Sequence, residues 1–245
     1  MKVYFEQVHD AIRDHALQAA PNQMCGLIVQ CDDGLKYLKC TNIAEDTYNN
    51  HCFSQGDLKG AETQGRIVAR VHSHDRMPHA SKADMEEQIS SGLPCGIAFV
   101  RGNVVQNLCF FGDRLPIQDY TGRPFIHGVY DCYALVRDYH QGTLGIQINQ
   151  YPRDNKWWRT DQNLLFDNIR DAGFVIVDKK LDAIEKNDCI LARINAPFVN
   201  HCGVYTGEGM LLHHICMRSS SLSQAEPLDD FDCSKITHIV RHKSA

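Results

Sequence analysis

The sequence lacks long hydrophobic runs, basic tracts and charged tails. Its longest stretch free of Asp, Glu, Lys and Arg runs from His15 to Cys31 and contains Pro21, Asn22 and three Gln. A membrane-spanning helix needs about 20 mostly apolar residues, so no membrane-spanning segment is expected. Twenty-five Lys and Arg stand against 30 Asp and Glu, a formal charge of −5, with no cluster of basic residues. A nucleic-acid partner is therefore not expected. The N-terminal Met-Lys-Val-Tyr-Phe-Glu-Gln has no apolar core of a signal peptide, so none is expected. No internal repeat or low-complexity tract is visible. Hydrophobic residues make up 43% and charged residues 22%, which excludes wholesale disorder.

What is present in excess is Cys and His, 11 and 13 of them. An odd number of Cys without a secretory leader argues against a disulfide framework. Most of the thiols should be small buried hydrophobes. The 245 residues suffice for two domains. Gly and Pro punctuate residues 112–124, which predicts domains at 1–117 and 118–245, each α+β, with a mixed sheet packed against helices.

In the first half the apolar spacing predicts a helix over 4–19. A hairpin of Cys25–Cys31 and Leu35–Cys40 follows, turned by Asp-Asp-Gly. A strand at Ile67–Val71, a helix from Ser81 to Ser91 and strands at Cys95–Val100 and Val104–Phe111 complete it. In the second half, helices are expected at Cys132–Tyr139 and Asp161–Ala172. Strands are expected at Cys189–Ile194, His201–Tyr205, Met210–Ile215 and His238–Arg241.

His72-Ser73-His74 closes a strand, and Ser81-x-x-Asp84 opens the next helix. Imidazoles at i and i+2 of a strand face the same way. Asp84 can add a third ligand, leaving a fourth position for water, as in catalytic zinc sites. Ser81 can polarise a carbonyl beside the metal. An H-x-H pair alone is equally the mark of hydrogen-bonded core histidines. With Pro21-Asn22-Gln23-Met24-Cys25-Gly26 upstream, the pattern resembles the JAMM (MPN-type) metallopeptidases over residues 1–112. The resemblance implies a cytidine-deaminase-like α/β fold and Zn2+ on His72, His74 and Asp84. Gln23 stands where that family has its general-base Glu. A carboxamide cannot take a proton at neutral pH, so the ligands are expected without the base.

Asp131-Cys132 begins a helix, where free N–H groups and partial positive charge favour a thiolate. His201 begins a strand, and His213 follows twelve residues later across a hairpin. Both can face one side, giving a thiol nucleophile, a base and an orienter. Cys202 is expected on the opposite face of the strand, and His214 away from His213. Asp-Cys-x-x-Leu-Val, then Asn200-His201-x-Gly203-Val204-Tyr205, then His213, resembles the NlpC-type papain-like cell-wall peptidases over residues 120–245. Phe125 stands where a Tyr is common. The resemblance implies a papain-like α+β fold and a Cys132–His201–His213 triad acting on peptidoglycan stem peptides, commonly at a γ-D-glutamyl to diamino-acid bond.

A JAMM-like half followed by an NlpC-like half resembles a family of tail assembly proteins of lambda-like phages. Tyr151-Pro152-Arg153-Asp154 with Trp157-Trp158, His213-His214 and Arg218-Ser219-Ser220-Ser221 fit it. That implies tail-tip proteins as partners, synthesis in host cytoplasm and a place in the virion tail. A metallopeptidase processing a tail protein, or an assembly factor without catalysis, are the alternatives.

Overall fold

A computed structural model describes residues 2–178, 181–216 and 222–245. The chain forms two compact units, Lys2–Pro116 and Ile117–Ala245. Each combines helices with one sheet, an α+β architecture. The Arg218–Ser221 segment lies outside the described residues. No helix among the described residues is long and apolar enough to cross a membrane. All eleven cysteines are free thiols.

In the first unit, helix α1 (His9–Ala19) precedes the hairpin β1 (Cys25–Cys31) and β2 (Gly34–Cys40). Helix α2 (Gln55–Gln64), β3 (Arg66–His74), α3 (Lys82–Ser91), β4 (Cys95–Val100) and β5 (Val105–Phe111) follow. The sheet order is β2-β1-β3-β4-β5; β3 and β4 are parallel, the other pairs antiparallel. One face packs Ile12 and Ala16 of α1 on Ile28, Ala69, Val71 and Ala98. The other packs Ala61 of α2 on Leu27 and Val29. Burial on both faces explains why β1 reads as a continuous apolar run rather than an alternating one. The strand expected at Ile67–Val71 extends to His74. Ser73 explains the extension: its hydroxyl accepts the Met24 N–H at 2.9 Å, tying the end of β3 to the start of β1.

Gly26 of β1 is required by its neighbour. A Cβ there would lie 2.2 Å from the Tyr37 hydroxyl, which itself bridges His15 Nδ1 (2.9 Å) and Met24 Sδ (3.2 Å).

In the second unit, α4 (Cys132–Tyr139) and the one-turn α5 (Leu164–Asp167) precede and flank a six-stranded antiparallel sheet. Its strands are β6 (Phe174–Asp178), β7 (Cys189–Ala192), β8 (His201–Gly207), β9 (Met210–His213), β10 (Gln224–Pro227) and β11 (Ile236–His242), in the order β10-β9-β8-β7-β11-β6. Leu135, Val136 and Tyr139 of α4 meet Leu191, Val204 and Val240 on one face. Ile190, Leu211, Leu228 and Phe231 pack on the other.

The helix expected over Asp161–Ala172 is reduced to Leu164–Asp167. At its end the Asn168 backbone N–H and side chain both donate to the Leu164 carbonyl, at 3.3 and 2.8 Å. Turns then carry Ile169 and Ala172 into the core. Strands β6 and β10 were not expected from sequence. β10, Gln-Ala-Glu-Pro, has no apolar alternation to reveal it.

The start of α4 is fixed by one carboxylate. Asp131 Oδ1 accepts the Ala134 N–H at 3.0 Å as N-cap, and Oδ2 accepts the Gly128 N–H at 2.9 Å. Oδ2 also takes two hydrogen bonds from the buried Arg153 guanidinium. Burial pushes this carboxyl up, but Arg153 and His127 outweigh it and hold Asp131 at about 2.

Two stability predictions follow from these contacts. Gly26→Ala should cost about 1–3 kcal/mol by urea unfolding, and less in a Tyr37→Ala background, where the ring no longer resists. Asp131→Asn leaves Arg153 buried without a counter-charge and should cost about 3 kcal/mol near neutral pH. A depressed carboxyl contributes fully above its ordinary value of 3.8 and fades as pH falls toward about 2. The gap between parent and variant should therefore narrow in urea melts taken at progressively lower pH below 4.

Candidate active site and metal centre

The thiol site lies at the N-terminus of α4 and the start of β8. Cys132 is the first helical residue after the Asp131 cap. The neighbouring Cys202 and His201 side chains hold its thiol well below the ordinary value against the opposing effect of burial. The Cys202 thiol is pushed the other way, up, by the neighbouring Cys132 and by burial.

Alternation along β8 is as expected: Cys202 packs in the core beneath α4, while His201 stacks near Phe231 at 6.0 Å between centroids. Cys202 nevertheless lies near enough to Cys132 to act on its thiol. The sequence reading weighed β8 as an isolated strand. It had no means of placing Cys132 over the strand's first two residues.

His201 Nε2 lies 3.2 Å from His213 Nδ1, so its Nδ1 is the nitrogen left for Cys132. Gly203 makes the pairing possible. It faces His213 across the β8–β9 ladder, and a Cβ there would come within 3.0 Å of His213 Cβ and the Leu212 carbonyl. Asn200 sets the approach to His201 by clasping Ile194, accepting its N–H at 2.7 Å and donating to its carbonyl at 2.9 Å. His213 is buried, and burial with the neighbouring His201 lowers it to about 3, so it is neutral over the physiological range. Its Nε2 lies 3.0 Å from Glu226 Oε1 on β10. The sequence reading missed Glu226, because the strand that carries it was not recognised.

His214 is buried and packs edge-on against Phe125 at 5.2 Å between ring centroids. Trp157 is buried in the core, with Trp158 edge-on against it at 6.2 Å and half-buried.

The second cluster sits at the end of β3 and the start of α3 in the first unit. His72 Nε2 lies 3.0 Å from His74 Nε2. Asp84 Oδ1 is 3.2 Å from His72 Nε2, and Asp84 Oδ2 is 3.4 Å from His74 Nε2. All three side chains are buried. His74 Nδ1 donates to the Met77 carbonyl at 3.2 Å, which leaves the lone pair on Nε2, facing the cluster. Burial and the neighbouring His51 lower His72 to about 4. Burial raises the Asp84 carboxyl, but His72 and His74 outweigh it and keep it ionised. Two imidazoles and a carboxylate converging in this way suit a divalent ion of the zinc type.

Ser81 and Asp84 also form a capping box: the Ser81 hydroxyl accepts the Asp84 N–H at 3.1 Å, and Asp84 Oδ2 accepts the Ser81 N–H at 2.6 Å. A cavity of about 250 Å³ opens beside the cluster, lined by Gln23, His51, His74, Ser81, Asp84 and Glu87 among others. Gln23 points its amide at the Asn49 carbonyl, 2.9 Å away. Two residues here escaped the sequence reading. His51 stacks on His72 at 4.0 Å and bonds Glu87 at 2.8 Å. Glu87 lies three residues beyond Asp84, on the same helical face, a spacing that could have flagged it.

The NlpC/P60 family model matches residues 122–241. Tail tip assembly protein K of Escherichia phage lambda is 37% identical over 193 residues, covering 78% of this chain and 89% of that protein. Its counterpart in Escherichia phage N15 is 30% identical over 237 residues, covering 96% and 93%. A solved NlpC/P60 family protein from Bacillus cereus covers 94% of this chain and 66% of its own, at 14% identity and a TM-score of 0.36, a loose likeness only. The chain belongs to the family of these tail tip assembly proteins and carries an NlpC/P60 domain in its second unit.

Proposed function

We propose that the second unit is a cysteine peptidase that cuts peptidoglycan stem peptides, carried by a protein of the phage tail tip. The observation that carries this reading is Cys132 as the first residue of α4, a helix packed on the strand that His201 begins, with His201 Nε2 lying 3.2 Å from His213 Nδ1.

His201 Nδ1 takes the thiol proton, and the Cys132 thiolate attacks the peptide carbonyl. The first-turn amides of α4, at Cys132 and Tyr133, are the donors for the developing oxyanion. His201 then gives its proton to the leaving amine, and the acyl group stays on sulfur. Water, deprotonated by His201, attacks the thioester, and the thiolate leaves with a free carboxylate as product. Neutral His213 keeps its Nδ1 lone pair on His201 Nε2–H, which fixes the ring and supports its imidazolium form. The names of the lambda and N15 relatives support a tail-tip location and tail-tip proteins as partners, with synthesis in the host cytoplasm before assembly.

The donor set of the first unit favours a second reading beside this one: His72, His74 and Asp84 hold Zn2+. A bound zinc supplies Lewis acidity and lowers the pKa of its water. Around it, Ser81 offers a hydroxyl at the cavity wall, and Gln23, engaged with Asn49, is no proton acceptor. In this reading the site holds metal, while the position of the expected general-base Glu carries the carboxamide of Gln23.

Purified protein should release peptides from muropeptides, and Cys132→Ala or His201→Ala should lower the rate by at least about a thousandfold. Cleavage by Cys132→Ala at the parent rate would overturn the peptidase reading. Elemental analysis should find about one zinc per chain, lost in His74→Ala without loss of Cys132-dependent cleavage. Gln23→Glu with bound zinc is the variant expected to gain metallopeptidase activity on tail proteins, if the metal lies where these ligands point.

A further inference from the structure

The His213 ring makes a second contact that the triad does not use. Its Nδ1 faces His201, and its Nε2 lies 3.0 Å from Glu226 Oε1. A neutral imidazole carries one N–H, so the partner of one nitrogen decides what the other offers. If Nδ1 carried the proton, it would meet the Nε2–H of a protonated His201 head-on, at the stage when His201 must hold charge. A carboxylate cannot donate, so at Nε2 it selects the Nε2–H tautomer and leaves the Nδ1 lone pair for His201. The same charge, one ring away, also favours the imidazolium over neutral His201.

The surroundings are built around this carboxylate. Gln224 Nε2 donates to Glu226 Oε2 at 2.6 Å, which favours the ionised form; the same amide nitrogen lies 3.4 Å from His213 Nε2, a longer contact than the 3.0 Å from that ring nitrogen to Glu226 Oε1. Phe231 lies edge-on to His213 at 5.5 Å and nearly parallel to His201 at 6.0 Å, covering the pair on that side. The register of β10 on β9 sets Gln224 opposite His213. Glu226, two residues on, shares the face of Gln224. The other ionisable groups acting here are Asp230, whose charge raises Glu226 along with burial, His201, which lowers it, and His214, which acts on His213.

We propose that Glu226 is a positioning residue for the thiol site: it fixes the Nε2–H tautomer of His213 and stabilises the Cys132 thiolate–His201 imidazolium pair through that ring. The proposal rests on the triad reading given above, and its test keeps the two apart.

The test is the pH dependence of iodoacetamide alkylation at Cys132, followed on the Cys132 peptide by mass spectrometry so that the other ten thiols do not interfere. It needs no substrate. In Glu226→Gln, an isosteric change at a partly exposed side chain, the acid limb should move up by on the order of one pH unit. At the parent's midpoint the rate then falls roughly fivefold, while the high-pH plateau and the thermal midpoint stay unchanged. Glu226→Asp, which keeps the charge, should lie nearer the parent than Glu226→Gln. His201→Ala is the reference and should move the limb further still. A parent-like profile in Glu226→Gln beside a shifted one in His201→Ala overturns the role of Glu226 and leaves the triad standing. An unshifted profile in His201→Ala overturns both.

Discussion

The second unit turns on the Asp131 carboxylate. One oxygen caps α4; the other gathers the Gly128 amide and the Arg153 guanidinium. A helix needs its first N–H groups satisfied, and a buried guanidinium needs a counter-charge. Meeting both demands at one residue leaves Cys132, the next residue, little freedom. The thiol is set at the positive end of the helix, and α4 is set on β8, where His201 and Cys202 begin. The low value of the Cys132 thiol is thus prepared by the residue before it, although Asp131's own charge opposes it. The neighbouring Cys202 and His201 side chains and the helix end outweigh that charge.

The first unit reaches a comparable arrangement by other means. Asp84 caps its own helix through Ser81 and turns the same carboxylate toward His72 and His74. Local backbone chemistry and ligand placement share one side chain in both units. In each, the functional group sits where a strand end meets a helix start, a place that offers a rigid edge and unpaired amides.

Much of this was legible in the sequence, because the signals were local. Ser81-x-x-Asp84 and Asp131-Cys132 are cap signatures. His72-x-His74 is a strand-face signature. In His201-x-Gly203, Gly203 sits opposite His213 across the hairpin, where a Cβ would crowd the His213 Cβ at 3.0 Å. What escaped was not local. Glu226 lies on a strand with no apolar alternation, and its meaning comes only from register against β9. His51 lies in a polar stretch without periodicity and stacks on a residue 21 positions away. Cys202 was set aside by correct alternation applied to one strand, without the helix above it. The helix expected at 161–172 is cut to one turn, although its apolar residues Ile169 and Ala172 reach the core as the spacing implied.

The Asn200 clasp has a consequence of its own. Its amide satisfies both backbone groups of Ile194, and its own N–H bonds the Ala192 carbonyl at 3.1 Å. The excursion between Ile194 and Asn200 is therefore closed at its base, independently of what it contains. Phe198 at its surface is 40% exposed and carries none of the tie. His201 is thus insulated from the length and composition of the loop before it. A longer or shorter loop there would leave the strand that starts at His201 in its place.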